Sequence, residues 1–265
     1  MGGVLRKKAS VALAFGGTLC LAACSSGRIS VGDDRAPVVA IDSGQMPDVG
    51  TEDAIADSNN ADVVDGNSTA VGLTGVTSAC ARPVSKGLLQ SRPGRTPDVQ
   101  VCGLSTAIFW RSSMAILCAG KSTTTCNTTT DPQFQNSTTA KDSTGASLDA
   151  AALPYVEVSA RTMTFDYSVD GPLKMGSVVA VVYRDRVAYG IVGTVGVPDV
   201  IGDASYAMAA ALGINPDPMV GGVPTNTVTY IAFTGPGPVV TVNEDHDEAQ
   251  RIGEAAAAAL IQAGK

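Results

Sequence analysis

The chain has 265 residues, 45% of them hydrophobic, with 18 basic against 25 acidic side chains and a net charge of −7. A surface with this balance repels phosphate backbones and anionic headgroups, so neither nucleic acid nor an acidic lipid surface is expected as a partner. A neutral or cationic glycan remains compatible with it.

Arg6, Lys7 and Lys8 precede an apolar run from Ala9 to Ala23. This is the layout of a secretory signal and is too short for a stable spanning helix, so residues 1–23 are expected to be removed on export. Leu21-Ala22-Ala23-Cys24 resembles a bacterial lipobox, in which the thiol of Cys24 is acylated and becomes the mature N-terminus. Two or more acyl chains anchor stably where one binds only reversibly. The expected location is therefore the outer face of the bacterial cell membrane, within the envelope, with lipid on Cys24 as the membrane contact. Without Arg6, Lys7 and Lys8 the mature chain has 15 basic residues against 25 acidic ones.

From Ser25 to about Ala70 the sequence holds nine Asp and Glu, only Arg28 and Arg35 as counter-charges, and no aromatic residue. Such a stretch buries too little apolar surface to offset its ordering entropy. Residues 24–75 are read as an acidic, disordered tether, and residues 76–265 as one domain.

Cys80, Cys102, Cys118 and Cys126 remain once Cys20 leaves with the signal and Cys24 takes lipid. Four cysteines in an oxidising compartment predict two disulfides, with three pairings open. Their spacings of 22, 16 and 8 do not match a zinc module, and no metal site is expected. Around them, residues 80–150 are rich in Ser, Thr, Asn and Gly and read as loops and short strands. Within this region Phe109-Trp110 reads as a core strand between Cys102 and Cys118, and residues 121–130 read as a polar, Thr-rich loop.

β-rich runs follow at 155–158, 162–165, 177–183, 187–192 and 228–233, and Arg184-Asp185-Arg186 is suited to a hairpin connection. Two helices interrupt them. One is expected from Asp203 to Leu212, stopping at Gly213, with Asp203 as its N-cap or first-turn acid. The other runs from about Glu244 to Ala263, with Ile252, Leu260 and Ile261 facing inward. The pattern is mainly β, a barrel or sandwich with peripheral helices.

Five pieces occur in order: Met114 to Gly120 (MAILCAG), Asp131 to Thr138 (DPQFQNST), Leu148 to Tyr155 (LDAAALPY), Met175 to Ser205 with YGIVG and IGDAS, and Gly221-Gly222-Val223 before Val228 to Phe233. Together they resemble the fungal-type chitosanases, glycoside hydrolase family 75, over about 140 residues. The resemblance implies a six-stranded, double-psi-like β-barrel and hydrolysis of a β-1,4-linked glucosamine polymer by inversion, with no cofactor. Inversion uses one carboxylic acid at the leaving oxygen and a second carboxylate that activates water, about 6.5 to 9.5 Å apart.

The family places its two acids directly after YGxxG and inside IGEAS. Here Thr194 stands at the first position and Asp203 at the second. A threonine hydroxyl does not titrate near neutrality, and an aspartate is about one methylene shorter than glutamate, roughly 1.5 Å, a displacement that can cost about a hundredfold in rate. The family's first piece also usually reads MxIDCDG, where this chain has Leu117 and Ala119.

Asp203 is accordingly the candidate surviving catalytic acid, and Thr194 the ancestral catalytic position without its acid. Gln135 and Asn136 are candidates for sugar hydroxyls. Asp149 is a candidate for a sugar amine or an Asx cap, and Asp131 is similar. Asp199 is a candidate substitute carboxylate or a turn residue. Trp110 is read as core before stacking platform, and His246 has no partner at ligand spacing.

These residues point to an envelope lipoprotein with a chitosanase-like domain, lost or altered hydrolase activity, and a glycan- or protein-binding role. The alternatives are an active inverting hydrolase with Asp203 as general acid, and a structural cell-wall spacer.

Overall fold

The computed structural model of the protein describes residues 66–264. The signal segment, Cys24 and the tether up to residue 65 lie outside them. The residues at 66–75, expected to end the tether, belong to helix α1 (Gly66–Val76), which buries Ala70 and Leu73.

Seven strands follow in chain order: β1 (Cys102–Gly103), β2 (Ala107–Leu117), β3 (Tyr155–Ala160), β4 (Val178–Tyr183), β5 (Arg186–Pro198), β6 (Asp203–Ser205) and β7 (Val223–Phe233). Six of them close into a barrel in the order β2-β6-β3-β5-β4-β7, shut by antiparallel pairing of β7 with β2, while β1 pairs onto β2. Closure leaves these six strands without a free edge, so the ladder satisfies itself. Pairing is parallel for β2 with β6 and for β3 with β5, and antiparallel elsewhere.

The near-continuous apolar runs follow from burial on both faces of the wall. Side chains alternate across a strand, and here one set enters a cluster with Ile108, Trp110, Val156, Val158, Val179, Val181, Tyr230 and Ala232. The other set, with Phe109, Tyr155, Val178, Ala180, Ile231 and Phe233, packs under helices and disulfide-linked loops. Trp110 stacks on Tyr230 at 5.3 Å with the rings 4° from parallel. It is 1% exposed and is core, as its sequence context indicates.

Two expected elements differ. Residues 162–165 form a turn rather than a strand, because the Thr162 hydroxyl accepts hydrogen bonds from the backbone N–H of Thr164 (3.1 Å) and Phe165 (3.2 Å). A side chain that captures local backbone donors withdraws them from a ladder, and Phe165 still reaches the core. The helix expected from Asp203 is shorter: α2 spans Tyr206–Ala211 and its N-cap is Ser205, whose hydroxyl accepts from Met208 N–H. Asp203 lies before it, in β6.

Helix α3 (His246–Ala263) is capped by Asp245, which accepts from Glu248 N–H at 2.8 Å. Its buried line is Ala249, Gly253, Ala257 and Leu260, while Ile252 and Ile261 are only partly covered. Small residues at this spacing let the helix approach the barrel closely. A Cβ at Gly253 would stand 2.3 Å from the Tyr189 ring.

The disulfides pair neighbours in sequence, Cys80 with Cys102 and Cys118 with Cys126. The first ties the segment after α1 to β1. The second closes the Thr-rich loop, which Thr123 and Asn127 brace by accepting from Cys126, Thr129 and Thr130 backbone N–H groups.

Candidate functional site

Asp203 opens β6 between two partners. On one side it pairs with Ala115 of β2, and on the other its neighbour Ala204 pairs with Val156 of β3. Gly202 precedes it at φ 135°, a conformation glycine adopts freely, and a Cβ there would stand 2.4 Å from the Ser112 hydroxyl. Below this turn the Tyr230 hydroxyl donates to the carbonyls of Ser113 and Gly202, both at 3.0 Å. The Ser112 hydroxyl donates to Ile201 C=O at 2.8 Å. The backbone that presents Asp203 is thus held by core side chains.

The side chain facing Asp203 is Glu157, in the middle of β3. It is 7% exposed, and the antiparallel register that sets Val156 opposite Ala204 brings its carboxyl beside that of Asp203. Burial disfavours the charged form, and the adjacent Asp203 charge adds to this, so the Glu157 acid is pushed up to about 8. Burial also pushes Asp203 up, to about 6, against the lowering effects of the bond from Glu157 and of the Arg92 charge. Arg92 reaches the site from the loop after Leu89, donating to Met114 C=O at 3.2 Å. Its buried Nε finds no hydrogen-bond partner among the described residues.

Thr194 sits directly across from Glu157 in the parallel β3–β5 pairing, after an irregularity that leaves Gly193 unmatched. It is 5% exposed. Its hydroxyl accepts from Thr139 N–H at 3.2 Å and lies 3.4 Å from the Thr139 hydroxyl, which in turn accepts from Val195 N–H at 3.1 Å. This hydroxyl knits β5 to the loop at 139.

Among the other candidates, Asp149 folds an Asx turn, accepting from Ala151 N–H at 2.9 Å. Asp131 does the same with Gln133 N–H at 2.8 Å and is 6% exposed. Asp199 has φ 57°, and its carboxylate accepts from the Thr162 hydroxyl at 2.6 Å while its N–H donates to Ser159. It is bound as a turn residue rather than turned toward Asp203. Gln135 and Asn136 are exposed, and the backbone of Gln135 pairs with Ala119. Ala119 and Leu117 join the packing: Ala119 is buried, its C=O accepts from the buried Tyr155 hydroxyl at 2.8 Å, and Leu117 packs against the outer cluster. His246 lies in the first turn of α3, away from these carboxyls.

Glu157 is the residue that the reading of the sequence passed over. Its signal was present: an acid inside Tyr155-Val156-Glu157-Val158, a strand otherwise apolar and buried on both faces. A buried carboxyl needs a partner, and only the fold brings β6 beside it.

Chemically, the arrangement offers a buried carboxyl beside a half-buried one, one cation nearby, and Asp203 as the member open to solvent. No curated protein matches the chain significantly. The family model described as fungal chitosanase of glycosyl hydrolase group 75 matches residues 114–261, which carry β3 to β7, Thr194, Glu157 and Asp203. That match covers more than half of the chain, and the protein belongs to the glycosyl hydrolase group 75 family of fungal chitosanases.

Proposed function

We propose that this protein is an envelope lipoprotein whose glycoside hydrolase-type domain binds an amino-sugar glycan with altered, weakened cleavage chemistry. The observation that carries this reading is the antiparallel register of β3 and β6, Val156 opposite Ala204, which brings Glu157 beside Asp203 in the barrel wall. An inverting pair must stand about 6.5 to 9.5 Å apart to admit a water and the glycosidic bond, whereas directly paired residues hold their Cβ atoms only about 4.5 to 5.5 Å apart. Thr194, bonded to Thr139, offers no acid in compensation. Family membership supports a glycan as ligand, and the lipobox at Leu21 to Cys24 supports export and attachment through lipid on Cys24.

One observation favours a second reading, an active hydrolase. A second carboxyl is present beside Asp203, and burial keeps it protonated at neutral pH, so the site holds a proton that a leaving oxygen needs. The two readings separate in one experiment. The purified protein is incubated with chitosan, chitin and peptidoglycan, and new reducing ends are measured beside oligosaccharide binding by calorimetry. Binding with slow or no turnover is the expected result. Rapid turnover that Asp203→Asn abolishes establishes the active hydrolase instead, and absence of both binding and turnover overturns the glycan assignment. Incorporation of labelled palmitate that Cys24→Ala removes tests the anchor.

A further inference from the structure

We infer that Glu157 is a positioning residue for Asp203: the two carboxyls share a single proton, and Glu157 donates it to hold Asp203 as the anionic, presented member of the pair. This deepens the proposed function and rests on it only for the view that Asp203 meets the glycan.

Four strands fix the pair. Glu157 is held in β3, flanked by β6 through Val156 and Ala204 and by β5 through Thr194. On the β5 side, Gly196 leaves the space the side chain occupies, since a Cβ there would stand 1.7 Å from the Glu157 Oε1. Asp203 is held by β2 through Ala115 and by the Gly202 turn. Like charges in contact and largely removed from water do not both ionise, so protons leave the pair in two linked steps rather than independently.

The surroundings decide which member keeps the proton. Arg92 is the cation that acts on Asp203, and it favours the carboxylate there. Glu157 feels burial and the Asp203 charge, with no cation to relieve it. Two phenols face the pair, Tyr155 beside Glu157 and Tyr230 beside Asp203, and burial keeps both un-ionised. Both hydroxyls donate to backbone carbonyls instead, Tyr155 to Ala119 and Tyr230 to Ser113 and Gly202. Neither competes with Glu157 as the donor to Asp203.

The test follows the carboxyl carbons of the full chain, labelled with 13C at Asp and Glu, by NMR across a pH titration, with Glu157→Gln, Glu157→Leu and Asp203→Asn to assign them. The wild type is expected to show two steps, each visible at both carbons. Glu157→Gln keeps a neutral donor, so the upper step vanishes and Asp203 retains a single step close to the lower one. Glu157→Leu removes the donor while keeping the burial, so the Asp203 step moves upward. A merely structural role for Glu157 moves Asp203 the same way in both variants, and that result, or two independent single-step curves in the wild type, overturns the inference. Chitosan oligosaccharide binding is measured on the same samples. Linked titration without glycan binding upholds the proton sharing and sinks the glycan reading alone.

Discussion

Glu157 of β3 and Thr194 of β5 are direct partners across a parallel pairing, so the chain carries a buried acid on the strand beside the one that holds Thr194. The register of β3 and β6, Val156 opposite Ala204, then brings Glu157 beside Asp203 within the wall.

Restoring the family arrangement should restore cleavage. Thr194→Asp with Asp203→Glu returns the two acids, and adding Glu157→Val removes the carboxyl that engages position 203. The triple variant is expected to release reducing ends from chitosan at least about a hundredfold faster than the wild type, the lower end of the roughly 10² to 10⁴ that a positioned acid or base contributes. A well-folded triple variant that stays inert shows that the sugar subsites are gone too.

The pair also makes stability pH-dependent. Both carboxyls have folded values raised above their ordinary ones, so the folded state binds more protons than the unfolded state between roughly pH 4 and pH 8. Stability therefore falls as pH rises through that window, the opposite of a salt-bridged carboxylate. Glu157→Gln removes the cost of ionising a buried acid and should be more stable than the wild type at pH 8, by on the order of a few kcal/mol, with the advantage shrinking toward pH 4. Urea melts at several pH values check this, and an unchanged pH slope in the variant counts against it.

Helix α3 depends on a close approach at Gly253. Because a Cβ there meets the Tyr189 ring at 2.3 Å, Gly253→Leu is expected to destabilise the domain by about 1–3 kcal/mol through overpacking, despite the better helix propensity of leucine. Thermal melts compared with Gln262→Leu, at an exposed position near the end of the same helix, provide the measurement. Equal midpoints in the two variants contradict the packing argument.

The two disulfides should differ in worth. Their sequence separations are 22 and 8, and loop-closure entropy makes the longer loop the more stabilising by about 1 kcal/mol. Cys80→Ala with Cys102→Ala should accordingly lower the denaturation midpoint more than Cys118→Ala with Cys126→Ala. The reverse order means that the Cys118–Cys126 link holds the loop between β2 and β3 more directly than chain entropy describes.

The sequence by itself determined the mainly β class, most barrel strands, the core role of Trp110, the second helix and the family. Those features arise from local pattern: alternating or continuous apolar runs, glycine-marked turns and motifs kept in order. It also singled out Thr194 and Asp203 as candidate site residues, because a substitution within a motif is legible without coordinates. Tertiary structure decided what lies beside them. Residues 162–165 turn because Thr162 captures backbone donors, and Asp203 sits in β6 because pairing with β2 and β3 outweighs the helix propensity of the alanines after it. Glu157 and Asp203 are separated by more than forty positions in the chain, and only a closed barrel, which forces β6 between β2 and β3, brings their carboxyls into contact. Local sequence can place an acid on a strand. The partner it meets, and so the proton it keeps, depends on which distant strand the fold lays against it.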